Sequence, residues 1–241
     1  MSIETKVAIV TGASQGIGAG IVAGYRKRGW NVVANSRNIS QDVYGADSGV
    51  AAVAGDVADP QTAARLVETA IERFGRVDTL VNNAGIFIAK PFTDYTAEDF
   101  TRKIAVNVAG FFFITQAFIA QLKKLNAKGH VVSITTTIVD QPINGVPAVL
   151  ASVTKGGIDS ATRGLAIEYA SSGIRVNAVS PGIIKTPLHA PETHEMLAGL
   201  HPVGRMGEIE EIVQAVLYLE DASFVTGETL HVDGGQHAGH W

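Results

Sequence analysis

Short runs that are apolar on both faces and rich in β-branched residues recur along this chain: VAIVT (7–11), VVAN (32–35), VAAVAG (50–55), TLVNN (79–83), HVVSIT (130–135), RVNAVS (175–180) and TLHVDG (229–234). A strand with one wet face alternates in polarity, whereas a strand that is apolar throughout has to be covered twice. Longer helical patterns separate the runs, so the expected fold is a doubly wound α/β parallel sheet with helices on both faces. The helices announce their ends. In DPQTAARLVETAIERFG, Asp59 is placed to cap a helix, Pro60 to open it and Gly75 to close it. In TAEDF, Thr96 and Asp99 form a variant of the capping box. The stretch SRNISQDVYGADSG, between the second and third runs, is too polar and too short for a full crossover helix. No linker, repeat or low-complexity run divides the 241 residues, of which 46% are hydrophobic, so one domain over 1–241 is expected, with GGQHAGHW as a surface tail.

Composition narrows the partners. Net charge is −4 and the basic residues are scattered, which gives no footprint for nucleic acid or an anionic membrane. The absence of cysteine excludes disulfides, thiol nucleophiles and thiolate metal sites. The N-terminus has no basic segment followed by an apolar one, and the most apolar window, VAGFFFITQAFIA, is broken by polar residues and too short to span a bilayer. The expectation is a cytoplasmic protein with a small-molecule substrate. No metal site is expected: His189 and His194 are five apart, and His237 and His240 are read as solvated.

The first run ends in TGASQGIG (11–18), followed by helical sequence. Glycines at such a junction let the backbone approach a pyrophosphate, which amide groups and the helix N-terminus then bind. Gly12, Gly16 and Gly18 depart from GxGxxG spacing, so a tight turn with close packing is the competing reading; Ser14, Gln15 and Ile17 complete the candidate cradle. The second run ends in ANSRN rather than in an acid. Arg37, with Ser14 and Ser36, is suited to a ribose 2′-phosphate, which favours NADP(H) over NAD(H); the alternative is an exposed loop arginine. Asp56 and Val57 follow the third run, where the carboxylate is either an adenine contact or a turn residue. Asn83, Ala84 and Gly85 end the fourth run at the same carboxyl edge.

Taken in order, TGASQGIG, DV, NNAG, the asparagine of AVNVAG, SPGIIKTP and TGETLHVDGG resemble the short-chain dehydrogenase/reductase family in its compact form. The resemblance implies a Rossmann-type sheet of about seven parallel strands, a nicotinamide cofactor and a homodimer or homotetramer. It also implies a catalytic set of serine, tyrosine, lysine and asparagine. Here the lysine position is Lys155, the asparagine Asn107, and the serine position falls on Thr136, with Thr135 and Thr137 as alternatives. The tyrosine position is Ala151. Pro181, Gly182, Ile184 and Thr186 are expected at the carboxamide, and about 184–207 as a substrate lid. Val153, Gly157, Ala161 and Gly164 offer a smooth helix face, for a subunit interface or for packing on the chain's own sheet. Asn107 interrupts an apolar helical run, where an amide needs partners, so it braces a kink or organises a water linked to the lysine.

No other tyrosine is a substitute: Tyr25, Tyr169 and Tyr218 fall in helices away from the carboxyl edge, and Tyr44 and Tyr95 in neighbouring loops. Three readings stay open. The substrate forms a stabilised anion on hydride transfer, as an activated alkene or quinone does, and water or Thr136 supplies the proton. Alternatively, a lid histidine (His189, His194 or His201) supplies it. In the third, the chain is a non-catalytic NADP(H)-binding sensor or oligomer partner.

Overall fold

The computed structural model describes residues 5–239. Seven parallel strands form one sheet: β1 (Val7–Thr11), β2 (Asn31–Ser36), β3 (Val50–Ala54), β4 (Thr79–Asn82), β5 (Gly129–Ile134), β6 (Ile174–Pro181) and β7 (Thr229–Val232). Their spatial order is β3-β2-β1-β4-β5-β6-β7, a Rossmann-type arrangement that reverses direction between β1 and β4. In register, Ile9 lies beside Val33 on one side and Leu80 on the other. The helices are α1 (Gly16–Lys27), α2 (Pro60–Phe74), α3 (Ala97–Lys103), α4 (Gly110–Leu125), α5 (Val149–Tyr169), α6 (His194–Ala198) and α7 (Ile209–Asp221). Between β2 and β3 there is only a 3₁₀ turn, Gln41–Tyr44, as the polarity of that stretch requires.

The two-residue period of a strand sorts each run between two cores. Ala8 and Val10 face a layer built from Ile21, Val22 and Tyr25 of α1 and Ile212, Val213 and Val216 of α7. Val7 and Ile9 face the opposite layer, with Leu66 of α2 and Ile114, Phe118 and Leu122 of α4. Each such side chain contributes about 1.5–3 kcal/mol by leaving water. Helix ends follow the local chemistry: Asp59 accepts from the Gln61 amide at 2.9 Å, Gly75 adopts φ +79°, and Thr96 and Asp99 bond each other's backbone amides reciprocally. At the amino edge of the sheet, Arg175 donates to the carbonyls of Leu219, Glu220, Ala222 and Val225 and so closes the C-terminal end of α7.

Two expectations change. The apolar window around 108–120 belongs to a continuous helical run over 97–125, long and apolar enough to cross a membrane by length and composition. Its buried face nevertheless packs on the sheet through Ile114, Phe118 and Leu122. The run stays unbroken because α3 passes into α4 through a π-helical turn, Ile104–Ala109, rather than a loop. The segment GGQHAG is also not a free tail: Gln236 is buried, and the His237 ring stacks on His231 at 3.9 Å. His237 Nδ1 lies 2.8 Å from Asp233 Oδ2. His240 lies outside the described residues.

Candidate active site

The strand order reverses between β1 and β4, and in open α/β sheets the binding cleft lies outside the carboxyl ends of the strands at such a point. The turn after β1 holds Gly12 at φ +66° and Gly16 at φ +56°, conformations that glycine adopts freely. At Gly18 a Cβ would lie 2.1 Å from the Gly12 carbonyl oxygen, so the turn closes only with hydrogen there. The close-packing reading of the glycines therefore holds. The helix that follows is unusual among its neighbours. Gln15 supplies no side-chain cap to α1 and its first turn has no acid, whereas α2 and α3 are capped by Asp59 and Thr96. The first amides of α1, around Gly16, Ile17 and Gly18, keep their donors and positive dipole for an external anion.

The end of β4 is tied to this turn. Thr11 Oγ1 accepts from the amides of Asn83 and Ala84 at 3.1 Å each, and Asn83 Nδ2 donates to the carbonyls of Thr11 and Gly12. Asn83 is thus a strut whose amide nitrogen is spent on the protein, and Thr11 is a site residue that the sequence reading did not single out. On the outer side of the turn, Ser36 Oγ donates to Ser14 Oγ at 3.1 Å, and the Arg37 guanidinium is exposed and unpaired. Tyr44 braces the same turn, donating to the Ala13 carbonyl at 3.2 Å. Asp56 is exposed and accepts from the Ala58 amide, so it does serve as a turn residue, with one carboxylate oxygen left over. Val57 and Ile184 point inward, 8% and 4% exposed, leaving backbone for any ligand.

Across the cleft, Asn107 joins three elements. Its Oδ1 accepts from the Ile86 amide at 2.9 Å, and its Nδ2 donates to the Ile86 carbonyl at 3.1 Å and to Thr154 Oγ1 at 3.2 Å. Asn107 lies inside the π turn and ties it to the loop after β4 and to α5. The clasp brings the strand-end loop against α5: a Cβ on Gly85 would lie 3.2 Å from Lys155 Nζ. Lys155 Nζ donates to the Ile134 carbonyl at 2.7 Å. Burial, then the charge of Lys103, pushes the Lys155 ammonium down to about 8. Ala151 lies one turn before it and is 2% exposed.

The three threonines separate cleanly. Thr135 donates to the Val179 carbonyl at 3.1 Å and Thr137 to Asp233 Oδ2 at 3.0 Å, so both are spent inside the protein. Thr136, between them, is partly exposed. The tyrosines are committed elsewhere or exposed: Tyr25 donates to Glu220 Oε2, Tyr44 to Ala13, Tyr95 to the Ile88 carbonyl at 2.9 Å, and Tyr218 is exposed.

The segment after Pro181 and Gly182 leaves the sheet and returns to it. Ile184 bridges Gly207, and Thr186 lies against the turn, 3.5 Å from where a Gly16 Cβ would be. Of its histidines, His201 is buried and structural: Nε2 accepts from the Ile183 amide at 2.9 Å and Nδ1 faces the Leu197 carbonyl at 3.1 Å. His194 Nε2 faces the His189 carbonyl at 3.2 Å. His189 is partly buried, and burial, then His194, lowers its pKa.

A doubly wound sheet with an uncapped glycine turn at its reversal point, and a lysine held against the loop after β4, is the arrangement found in the dinucleotide-binding class of α/β folds. Residues 12–237 match the family model described as enoyl-(acyl carrier protein) reductase. The chain belongs to the short-chain dehydrogenase/reductase family. It is 38% identical over 250 residues to glucose 1-dehydrogenase 2 of Bacillus subtilis, covering 95% of this chain and 94% of that one. A 3-ketoacyl-(acyl-carrier-protein) reductase from Brucella melitensis, solved with NADH, superimposes with a TM-score of 0.88 at 32% identity, over 98% and 100% of the two chains. ElxO with bound NADP superimposes with a TM-score of 0.90 at 27% identity, over the same shares.

Proposed function

We propose that the protein is an NADP(H)-dependent oxidoreductase that transfers a hydride to or from a small carbonyl or alcohol, or an activated alkene or quinone, with the proton handled by a group other than tyrosine. The observation that carries the reading is the uncapped N-terminus of α1 set against the NNAG loop and Lys155, which supports a pyrophosphate at one end of the cleft and a nicotinamide at the other. The bound nicotinamide supplies the hydride chemistry. Gly12, Ser14, Gln15, Gly16, Ile17 and Gly18 hold its phosphates, Asp56, Val57, Asn83, Ala84 and Gly85 border the adenosine and ribose, and Pro181, Gly182, Ile184 and Thr186 meet the carboxamide. Ser14, Ser36 and Arg37 select the 2′-phosphate. Similar proteins bind NADP or NADH, so this preference rests on the unpaired guanidinium.

Thr136 holds the substrate oxygen, and Ala151 stands where the family's tyrosine is expected. The whole chain acts as one domain, and residues 184–207 close over the substrate, clamped at Ile184–Gly207. The outer face of α5, with Val149, Val153 and Ile167 exposed and open space around Gly157 and Gly164, supports a subunit interface and a homodimer or homotetramer. A soluble cytoplasmic enzyme fits a cofactor drawn from the cell's own pool. The test is direct: titration with NADPH and NADH, followed by NADPH consumption with carbonyls, quinones and activated alkenes. Binding without turnover on any acceptor would replace this reading with that of a cofactor-binding sensor.

A further inference from the structure

The described residues include a second lysine at the site, one with no partner. Lys103 is fully buried, and its Nζ forms no hydrogen bond. It lies over the Phe87 ring, 5.3 Å from the centroid, in the loop that follows Gly85. Its position along the cleft follows from helix register. Lys103 precedes Asn107 by four residues, one turn, just as Ala151 precedes Lys155. Both helical runs carry the chain from the carboxyl end of one parallel strand toward the amino end of the next, so they point the same way. Asn107 and Thr154 are bonded to each other. Four residues back on each helix, Lys103 and position 151 therefore lie on the same side of that bond, and at 151 the chain carries only a methyl group.

We propose that Lys155 itself delivers the proton to the substrate oxygen, and that Lys103 is the positioning residue that prepares it by holding a second buried cation beside it. The proposal rests on the oxidoreductase reading above. Two ammonium groups without a carboxylate between them repel, and an amine that is desolvated or set beside another cation gives up its proton more easily. Asp99, the acid of α3 nearest in sequence, is bonded to Lys90 and the Thr96 amide. Burial pushes Lys103 down to about 8, and burial together with Lys103 does the same to Lys155. The repulsion acts on both groups, so the first proton leaves the pair rather than either lysine alone. In the reduction direction, hydride from the nicotinamide bonds to the carbonyl carbon, and the C=O π electrons move onto oxygen. That oxygen takes one proton from the Lys155 ammonium, and the neutral amine recovers a proton from solvent. The Ile134 carbonyl fixes the amine throughout, and Thr136 steadies the oxygen.

The experiment uses Lys103→Met and Lys103→Arg, with His189→Ala as a comparison. In cofactor-free protein, the ¹³Cε signals of labelled lysine are followed from pH 6 to 11. The expected result is that the Lys155 midpoint rises by about one pH unit in Lys103→Met and stays low in Lys103→Arg. Turnover in the parent falls as pH rises through the pair's first titration, and this fall moves to higher pH in Lys103→Met only. His189→Ala leaves the profile in place. A Lys155 midpoint or turnover profile unmoved by Lys103→Met overturns the proposal, as does loss of the profile in His189→Ala. A parent that oxidises NADPH with no acceptor removes the oxidoreductase reading and this proposal with it. An active parent with an unmoved midpoint removes this proposal alone.

Discussion

Replacing Asn107 by alanine tests the site most fully, because a single side-chain amide makes three hydrogen bonds. The bonds to the Ile86 amide, the Ile86 carbonyl and Thr154 Oγ1 are 2.9, 3.1 and 3.2 Å long. Asn107 is 1% exposed, so nothing replaces them on its side. Ile86 is only partly buried and can recover water, and the Thr154 hydroxyl keeps its donation to the Leu150 carbonyl. Each bond is then worth about 1 kcal/mol net, and the sum is about 2–3 kcal/mol, or roughly a 30- to 150-fold rise in the unfolding constant. Function should suffer in a different ratio. The clasp holds the Gly85 loop against Lys155, so turnover should fall by about tenfold or more while NADPH affinity, set mainly at the far end of the cleft, changes little. Urea denaturation gives the first quantity, and steady-state kinetics beside a fluorescence titration give the second. A variant within about 0.5 kcal/mol of the parent, with parental turnover, would refute the argument that Asn107 carries load.

Arg37→Ala should cost NADPH about 1.5–3 kcal/mol of affinity and leave NADH unchanged; an unaltered ratio in paired titrations would show that the guanidinium contacts no phosphate. Ala151→Tyr should place a phenol one turn from Lys155 and raise reduction of simple activated ketones, read on a carbonyl panel, if the fold yields the space; loss of folding would mean that it does not. Stability should fall as the pH drops from 7 to 5. Burial lowers the pKa of His130, so below its unfolded value, about 6.5, the unfolded chain binds a proton that the folded chain refuses. Burial pushes Glu220 up, but hydrogen bonds from His130 and Thr79 outweigh it and hold the carboxyl low, which adds the same sign at lower pH. The slope reaches at most about 1.36 kcal/mol per pH unit per group, and urea titrations at the two pH values would expose its absence.

The sheet was legible because parallel strands covered on both sides carry their signal in consecutive residues. Helix ends at Asp59, Gly75 and Thr96 were legible for the same reason, since a cap is a local bond. The glycine turn, NNAG, Asn107 and Lys155 were found by motif, and the structure brings Gly85, Asn107 and Lys155 together as expected. What escaped depends on partners far along the chain. Lys103 sits in the polar stretch EDFTRK and reads as a surface residue until the fold buries it against the Phe87 ring. The buried group of Tyr25, Thr79, His130 and Glu220 joins residues up to 195 positions apart, and no period reveals it. His201 resembled a mobile acid because its partner, the Ile183 amide, lies across the return of the loop.

That last bond has a consequence for how such a chain can change. The excursion after β6 is anchored at both feet, by the Lys185 amide donating to the Gly207 carbonyl, the Gly207 amide donating to the Ile183 carbonyl, and the His201 ring accepting from the Ile183 amide. Residues 187–200, between Thr186 and His201, form their hydrogen bonds within the excursion itself. They are in effect an exchangeable cassette: doubling its length would cost only about 0.6 kcal/mol of closure entropy. New substrate preferences can therefore be tried there by insertion, deletion or wholesale replacement, while the anchors keep the hydride-transfer machinery in register.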